Sequence, residues 1–332
     1  MITLLFISSI IRPYRKWYFI LCLAPICSGI TFAINNYAIK ILIDTISGEI
    51  YNYSLFITPL LIFFVIEISI RLCWSLHDYA EYKIHGKVFR DLILKPYQYL
   101  QNHSYKYFQE NFSGSISSKI KGISDGYYNF WDKISHSLLE SIAAIIANII
   151  MIGFLSMKLL LPVILFMLIC AIICYFQSKV YDKMAFEIKQ NWHKLLGNIA
   201  DKITNIFTVF SFATRKRELR QIEDFYKKIQ IPAVDKANYF NYISWLIAGI
   251  LYSTMLLATF FYAIYLRKNG YISTGVLAVS ISIILKLIHE TFTLTQGMMS
   301  FIQNLADLRA SLDGIFIKQE IIDKPDAKEL IV

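Results

Sequence analysis

Runs of apolar residues without charge alternate along this chain with polar stretches of two very different lengths. The apolar runs fall at 17–39, 50–66, 141–157, 159–178, 237–266 and 269–285. About 20 helical residues cross a hydrocarbon core, and a backbone in lipid satisfies its polar groups within one segment only as a helix. Six membrane-spanning helices are predicted. The second continues past Glu67 and Arg71 to His77, the third extends backwards over 134–139, and the sixth runs past Lys286 over 291–306.

The connections alternate. Spans one and two are joined by 44–53, three and four by a turn at Lys158, and five and six by 267–270. The other two connections, 78–133 and 179–236, are each more than 50 residues long. They contain few Pro or Gly and keep a helical spacing of apolar residues, as in Ile188, Trp192, Leu195, Leu196, Ile199 and Ile203. Each therefore reads as a pair of helical rods leaving the membrane, turning and returning. The segment 102–114, polar and closed by Gly114, supplies one of the turns.

Charge orients this picture. Of 33 Lys and Arg, 3 precede span one, 8 and 12 lie in the long connections and 4 follow span six. Positive residues collect on the cytoplasmic side, which places both termini and both long connections there. Only 17% of residues are charged against 56% hydrophobic, where a soluble chain carries about a quarter charged. The net charge of +9 belongs to those loops, since no polar domain interleaves basic and aromatic residues for nucleic acid. Cys22, Cys27, Cys73, Cys170 and Cys174 sit in or beside apolar runs without metal-ligand spacing, and read as small buried hydrophobes. The start of the chain is apolar and followed by Arg12, Arg15 and Lys16, the wrong order for a cleaved signal. A short interfacial helix over 1–16 fits better.

Three stretches carry a family resemblance beyond topology. The first is Tyr107, Phe108, Gln109, Glu110, Asn111, Phe112, Ser113 and Gly114, followed by Ile116, Ser118, Lys119 and Ile120. The second is Ile206, Phe207, Thr208, Val209, Phe210, Ser211, Phe212 and Ala213, with Glu218. The third is Asn269, Gly270, Tyr271, Ile272, Ser273, Thr274, Gly275, Val276 and Leu277, and the tail from Ala310 to Phe316 adds to it. In this order the chain resembles the transmembrane domain of ATP-binding cassette (ABC) exporters over nearly its whole length. There are departures: Lys119 stands for the family's usual Arg, Ile123 for an Asp (with Asp125 nearby), Phe210 for a common Lys and Gly314 for a common Arg.

The resemblance implies an all-α fold with a six-helix transmembrane domain over 17–306 and a linker over 307–332 leading to a nucleotide-binding domain. It implies a dimer with a second transmembrane half in the lipid bilayer of a bacterial inner membrane. Coupling to the nucleotide-binding domains would fall on Tyr107, Phe108, Gln109, Glu110 and Asn111 at the first turn, and on Asp201, Thr204 and Asn205 at the second. The sequence has no GxxxxGK[ST] loop, and Gly86-Lys87 lacks its first Gly and its hydroxyl. No cofactor is expected on this chain; ATP and Mg are expected on the associated domain, encoded separately, lost or cut away.

Charges within spans are costly and face a cavity or each other. Glu67 and Arg71, four apart, predict an internal ion pair, with contact to substrate as the alternative. Lys286, His289 and Glu290 interrupt span six and are pathway candidates, because span six lines the path in the resembled family. Lys40 is expected to snorkel, Asn35, Asn36 and Asn148 to bond between helices, and Pro25 and Pro162 to kink or start spans. Two rival functions stay open. One is a proton-driven peptide transporter, of which a bacterial family with a similar membrane fold is known, using Glu67, Glu140 or Glu290. The other is a non-transporting remnant.

Overall fold

The computed structural model describes residues 2–47, 54–111 and 113–317. The start of span two before Ser54, the motif residue Phe112 and the linker beyond Ile317 lie outside the described residues.

The described chain is helical, with no strand. In order it forms α1 (Ile2–Ile11), α2 (Arg15–Ile46), α3 (Ser54–Leu100), α4 (Tyr105–Glu110), α5 (Ser113–Lys133), α6 (Leu139–Leu155), α7 (Met157–Thr204), α8 (Ile206–Ser211), α9 (Arg215–Phe225), α10 (Ile231–Lys268) and α11 (Thr274–Asp313). A 3-10 turn joins α1 to α2, and π-helical turns at Ile134–Leu138 and Tyr226–Gln230 join α5 to α6 and α9 to α10. Six of these continuous stretches are long and apolar enough to cross a membrane. At 1.5 Å per residue, the 47 residues of α3 and 48 of α7 reach about 70 Å, against a hydrocarbon core of about 30 Å. More than half of each helix therefore stands outside the lipid as a rod. This is an integral membrane protein.

Span α11 is the most enclosed, half of its apolar window being buried, whereas α3 is buried over only 6% of its window. Small residues set the closest approach, between α2 and α6. A Cβ added at Gly29 would lie 2.5 Å from the Glu140 carbonyl oxygen and 2.7 Å from the Ala144 nitrogen, so the two backbones meet there with only hydrogen between them. One apolar cluster joins α6, α7, α10 and α11 inside the membrane region. A second, built from Ile10, Leu92, Ile123, Tyr127, Leu308 and Leu312, binds the rods to α1.

Both described ends meet the first rod tip. Phe6 of α1 packs edge-on against Phe316, 5.6 Å between ring centres, and Phe316 lies 4.5 Å from Tyr99 at the end of α3. At the opposite end of the bundle, Asp44 near the end of α2 accepts the Gly275 N–H at the start of α11.

Two expected turns shift. The break between spans three and four is at Ser156, whose extended backbone interrupts the helical ladder, and Lys158 already lies in the first turn of α7, its Nζ 3.0 Å from the centre of the Tyr271 ring. Span six begins at Thr274 rather than 269, because the Ser273 side chain caps it by accepting the Val276 N–H. Absence of charge marks where a run is apolar, while caps decide where a helix starts. Pro25, Pro59, Pro96 and Pro162 all lie inside helices, Pro162 in the second turn of α7.

Candidate coupling tips and translocation face

The first tip begins where α3 ends. Ser104 has an extended backbone and its side chain accepts the Tyr107 N–H, which starts α4. Tyr107 then turns inward. It is only 7% exposed, stacks 4.4 Å from His103, and its hydroxyl donates to the Gly314 carbonyl at 3.3 Å. Burial pushes its phenol above the usual pKa. His103 Nε2 lies 3.3 Å from the Ile315 carbonyl, and the Tyr99 hydroxyl donates to the Ile317 carbonyl at 2.7 Å. Lys119 Nζ donates to the Gly314 carbonyl at 3.4 Å. A Cβ on Gly314 would stand 2.7 Å from Lys119 Cε, so the absence of a side chain at 314 admits the lysine. The two family departures thus sit against each other.

The predicted coupling residues of this tip therefore divide. Tyr107 is a strut holding the tip to the end of α11. Phe108 stays 43% exposed, edge-on to Tyr107 at 5.4 Å, and Gln109 is exposed. Asn111 turns its Nδ2 back onto the Tyr107 carbonyl at 3.0 Å. Glu110 is the last residue of α4.

At the second tip, Asn205 ends α7 and bonds both the carbonyl and the carboxylate of Asp201 at 3.1 Å. Thr204 returns its hydroxyl to the Ala200 carbonyl. These three predicted residues shape the turn. What it presents is α8, a six-residue helix with Phe207 80% exposed and Phe210 half-exposed under the Arg215 guanidinium, and Phe212, 74% exposed, just past its end. Ala213, at φ +50°, holds a left-handed conformation unusual for alanine and closes the turn. Lys202 pairs with Glu218 and bonds Gln221 at 2.9 Å, bracing α9 against α7. Phe207, Phe210 and Phe212 were not among the expected contact residues. Their signal was in the sequence: three aromatics within six residues of a polar connection.

Inside the membrane region, Glu67 and Arg71 are both exposed on α3, and among the described residues neither forms an ion pair. Both point off the lightly packed span instead of into the bundle. Lys286 and Glu290 do pair, at 2.6 Å, with Glu290 buried and Lys286 Nζ 5.2 Å from the Phe32 ring centre; His289 points outward. Lys40 pairs with Asp44 at 3.4 Å rather than snorkelling alone. Asn36 and Asn148 bond carbonyls of their own helices, Phe32 and Ala144, because a carbonyl one turn back is always within reach. Glu140 accepts the Ser28 hydroxyl at 2.8 Å.

Long helices crossing the membrane and running on as rods, tipped by short helices, define a transporter-type membrane domain. The comparisons with known proteins place it. The family model for the ABC transporter transmembrane region matches residues 18–290, and the chain belongs to that family. The fold is that of the exporter transmembrane region: a solved structure described as a bacterial Atm1-family ABC exporter with ATP bound superposes with a TM-score of 0.77 at 15% identity, over 96% of this chain. The chain spans 57% of the length of that solved chain. No curated protein matches.

Proposed function

We propose that this chain forms the substrate pathway of an ATP-driven exporter and takes its driving motion from ATPase domains through the two rod tips, with no catalytic step in the transmembrane domain itself. The observation that supports this most is the second tip: Phe207 and Phe212 stand 80% and 74% exposed just beyond the end of α7, a helix about 70 Å long. Aromatics of this kind are typical anchors of protein interfaces. ATP and Mg would be held by the partner domains; the solved bacterial exporter of similar fold has ATP bound. The excess of Lys and Arg in the long connections supports a cytoplasmic position for the tips and both termini, in a bacterial inner membrane.

A second transmembrane half belongs to this reading. A gap of about 760 Å³ lies between the rods, lined by Lys119, Phe186, Leu196, Ile199, Ile203 and Asp313. Leu196 and Ile203 in it are exposed apolar side chains, which a partner's rods would cover. The 1–16 interfacial helix, the 307–332 linker and the pathway role of Lys286, His289, Glu290, Glu67 and Arg71 are parts of the same proposal.

The test is a pair of tip variants assayed with the ATPase partner. Phe207→Ala and Phe108→Ala are expected to lower substrate-stimulated ATP hydrolysis at least tenfold, the loss of about 2 kcal/mol typical of an interface anchor, with melting unchanged because both rings are exposed. Tyr107→Phe is expected to cost about 1 kcal/mol of stability, since it deletes the bond to Gly314. Normal ATP-coupled transport by both alanine variants would overturn the coupling role. Transport that survives them but is lost in Glu67→Gln would favour the proton-driven reading.

A further inference from the structure

Two facing helices carry polar and titratable side chains at every fourth position: His77, Glu81 and His85 on α3, and Tyr128, Asp132 and His136 on the α5 wall. Four-residue spacing keeps each series on one helical face. The rings of His77 and His136 meet at 5.3 Å, and Trp74 packs on both, at 5.2 and 5.6 Å. Tyr128 donates to Glu81 at 3.1 Å, its ring 5.3 Å from His85. His136 belongs to the π-helical turn Ile134–Leu138, a wide turn of a kind that recurs at functional sites.

Between the two series lies a cavity of about 60 Å³. Its buried wall is apolar, with Leu21, Ile84, Val88 and Leu92, while Glu81, His85, Asp132 and His136 stand at its partly exposed rim. No Lys or Arg is among its lining residues. Lys133 touches Asp132 from outside at 3.6 Å, and His136 Nδ1 approaches the other carboxylate oxygen at 3.4 Å. His77 is only 2% exposed and lines the space. Its Nδ1 faces Asp78 at 3.4 Å, while its Nε2 makes no hydrogen bond among the described residues. With the proton on Nδ1, Nε2 is an acceptor with no donor among the described residues.

The cavity therefore offers a ring-nitrogen acceptor on the buried His77 and, at its rim, two carboxylates: Glu81, with the His85 ring 3.9 Å away, and Asp132. At 10–15 Å³ per water-sized occupant, the volume holds about four or five waters, enough for an ammonium head and a short stem. A drug-sized body needs about 300 Å³ or more. We propose that this cavity binds the head of a protonated alkylamine, its N–H groups donating to His77 Nε2, its charge offset by Glu81 and Asp132, and its stem lying on Leu21 and Ile84. The proposal concerns binding alone and does not depend on ATP-coupled transport.

The experiment is titration of the full chain in lipid nanodiscs with n-butylammonium, followed by calorimetry and by tryptophan fluorescence, Trp131 and Trp74 being adjacent. n-Butanol and n-butanesulfonate serve as neutral and anionic controls, with protein-free nanodiscs as blank. Saturable binding of the ammonium at least tenfold tighter than the alcohol, and none of the sulfonate, is expected. Glu81→Gln and Asp132→Asn are each expected to weaken it about fivefold to tenfold, and His77→Phe to abolish the preference for butylammonium over tetramethylammonium, which has no N–H. Equal responses to ammonium and alcohol on the unaltered protein would overturn the proposal whether or not a variant folds. So would unchanged affinity in a well-folded Glu81→Gln, Asp132→Asn double variant.

Discussion

Asp44 Oδ1 accepts the Gly275 N–H at 2.9 Å, clamping the end of α2 to the start of α11. Its other oxygen accepts the Ser273 hydroxyl at 3.0 Å, and Lys40 lies 3.4 Å away. A Cβ on Gly275 would stand 2.5 Å from that carboxylate, so only glycine permits the approach. The first N–H groups of a helix lack intrahelical partners and carry partial positive charge, and a carboxylate from a neighbouring span satisfies them. Asp44→Ala is expected to cost about 1–2 kcal/mol, with Asp44→Asn between it and the unaltered protein, since the amide oxygen still accepts. Thermal unfolding in detergent measures both, and an alanine variant melting like the parent would exclude the clamp.

The α2–α6 contact predicts opposite outcomes for two glycines. At Gly29 an added methyl meets backbone at 2.5 and 2.7 Å, atoms that yield only if the helices part. Gly29→Ala is expected to destabilise by about 1–3 kcal/mol. Nothing lies within 4 Å of a Cβ at Gly86, mid-rod on exposed α3, so Gly86→Ala is expected to stabilise by up to about 1 kcal/mol through helix propensity. Melting curves with the same sign of shift for both would contradict this packing.

The Lys286–Glu290 pair makes a prediction of coupling energy. Breaking one side of a buried pair leaves an uncompensated charge and costs about 3 kcal/mol or more. Glu290→Gln is therefore expected to melt well below the parent, while the double variant Lys286→Met, Glu290→Met recovers most of the loss. A double variant no better than the single one would mean that the two side chains are not energetically joined.

Sidedness is checked by labelling. In a cysteine-free background, single cysteines at Ser47, Lys158 and Asn269 should react with an impermeant thiol reagent on intact cells. Those at Ser115 and Thr214 should react only after lysis. Reaction of Ser115→Cys from outside would invert or break the six-span topology.

Hydropathy and charge were enough to read six spans and two long helical hairpins, because lipid forces each span to close its own hydrogen bonds and leaves local sequence little choice; the family resemblance came from three short stretches and the tail on that topology. The position of the first tip was legible too, through the polar segment 102–114 closed by Gly114. Other features depended on contacts between residues far apart in the chain. Tyr107 reads as an interface aromatic until Gly314, 207 residues on, is seen to receive its hydroxyl. Lys40 and Asp44 read as a span end until Gly275 supplies a reason for the carboxylate. Glu67 and Arg71 have the spacing of a pair and do not form one, while Lys286 and Glu290 have the same spacing and do. Both separations put the side chains on one face of a helix, which is all that local periodicity can determine. Whether that face meets lipid, a partner or another span is decided by packing, and packing also brought His77 and His136 together from helices that the sequence sets nearly 60 residues apart.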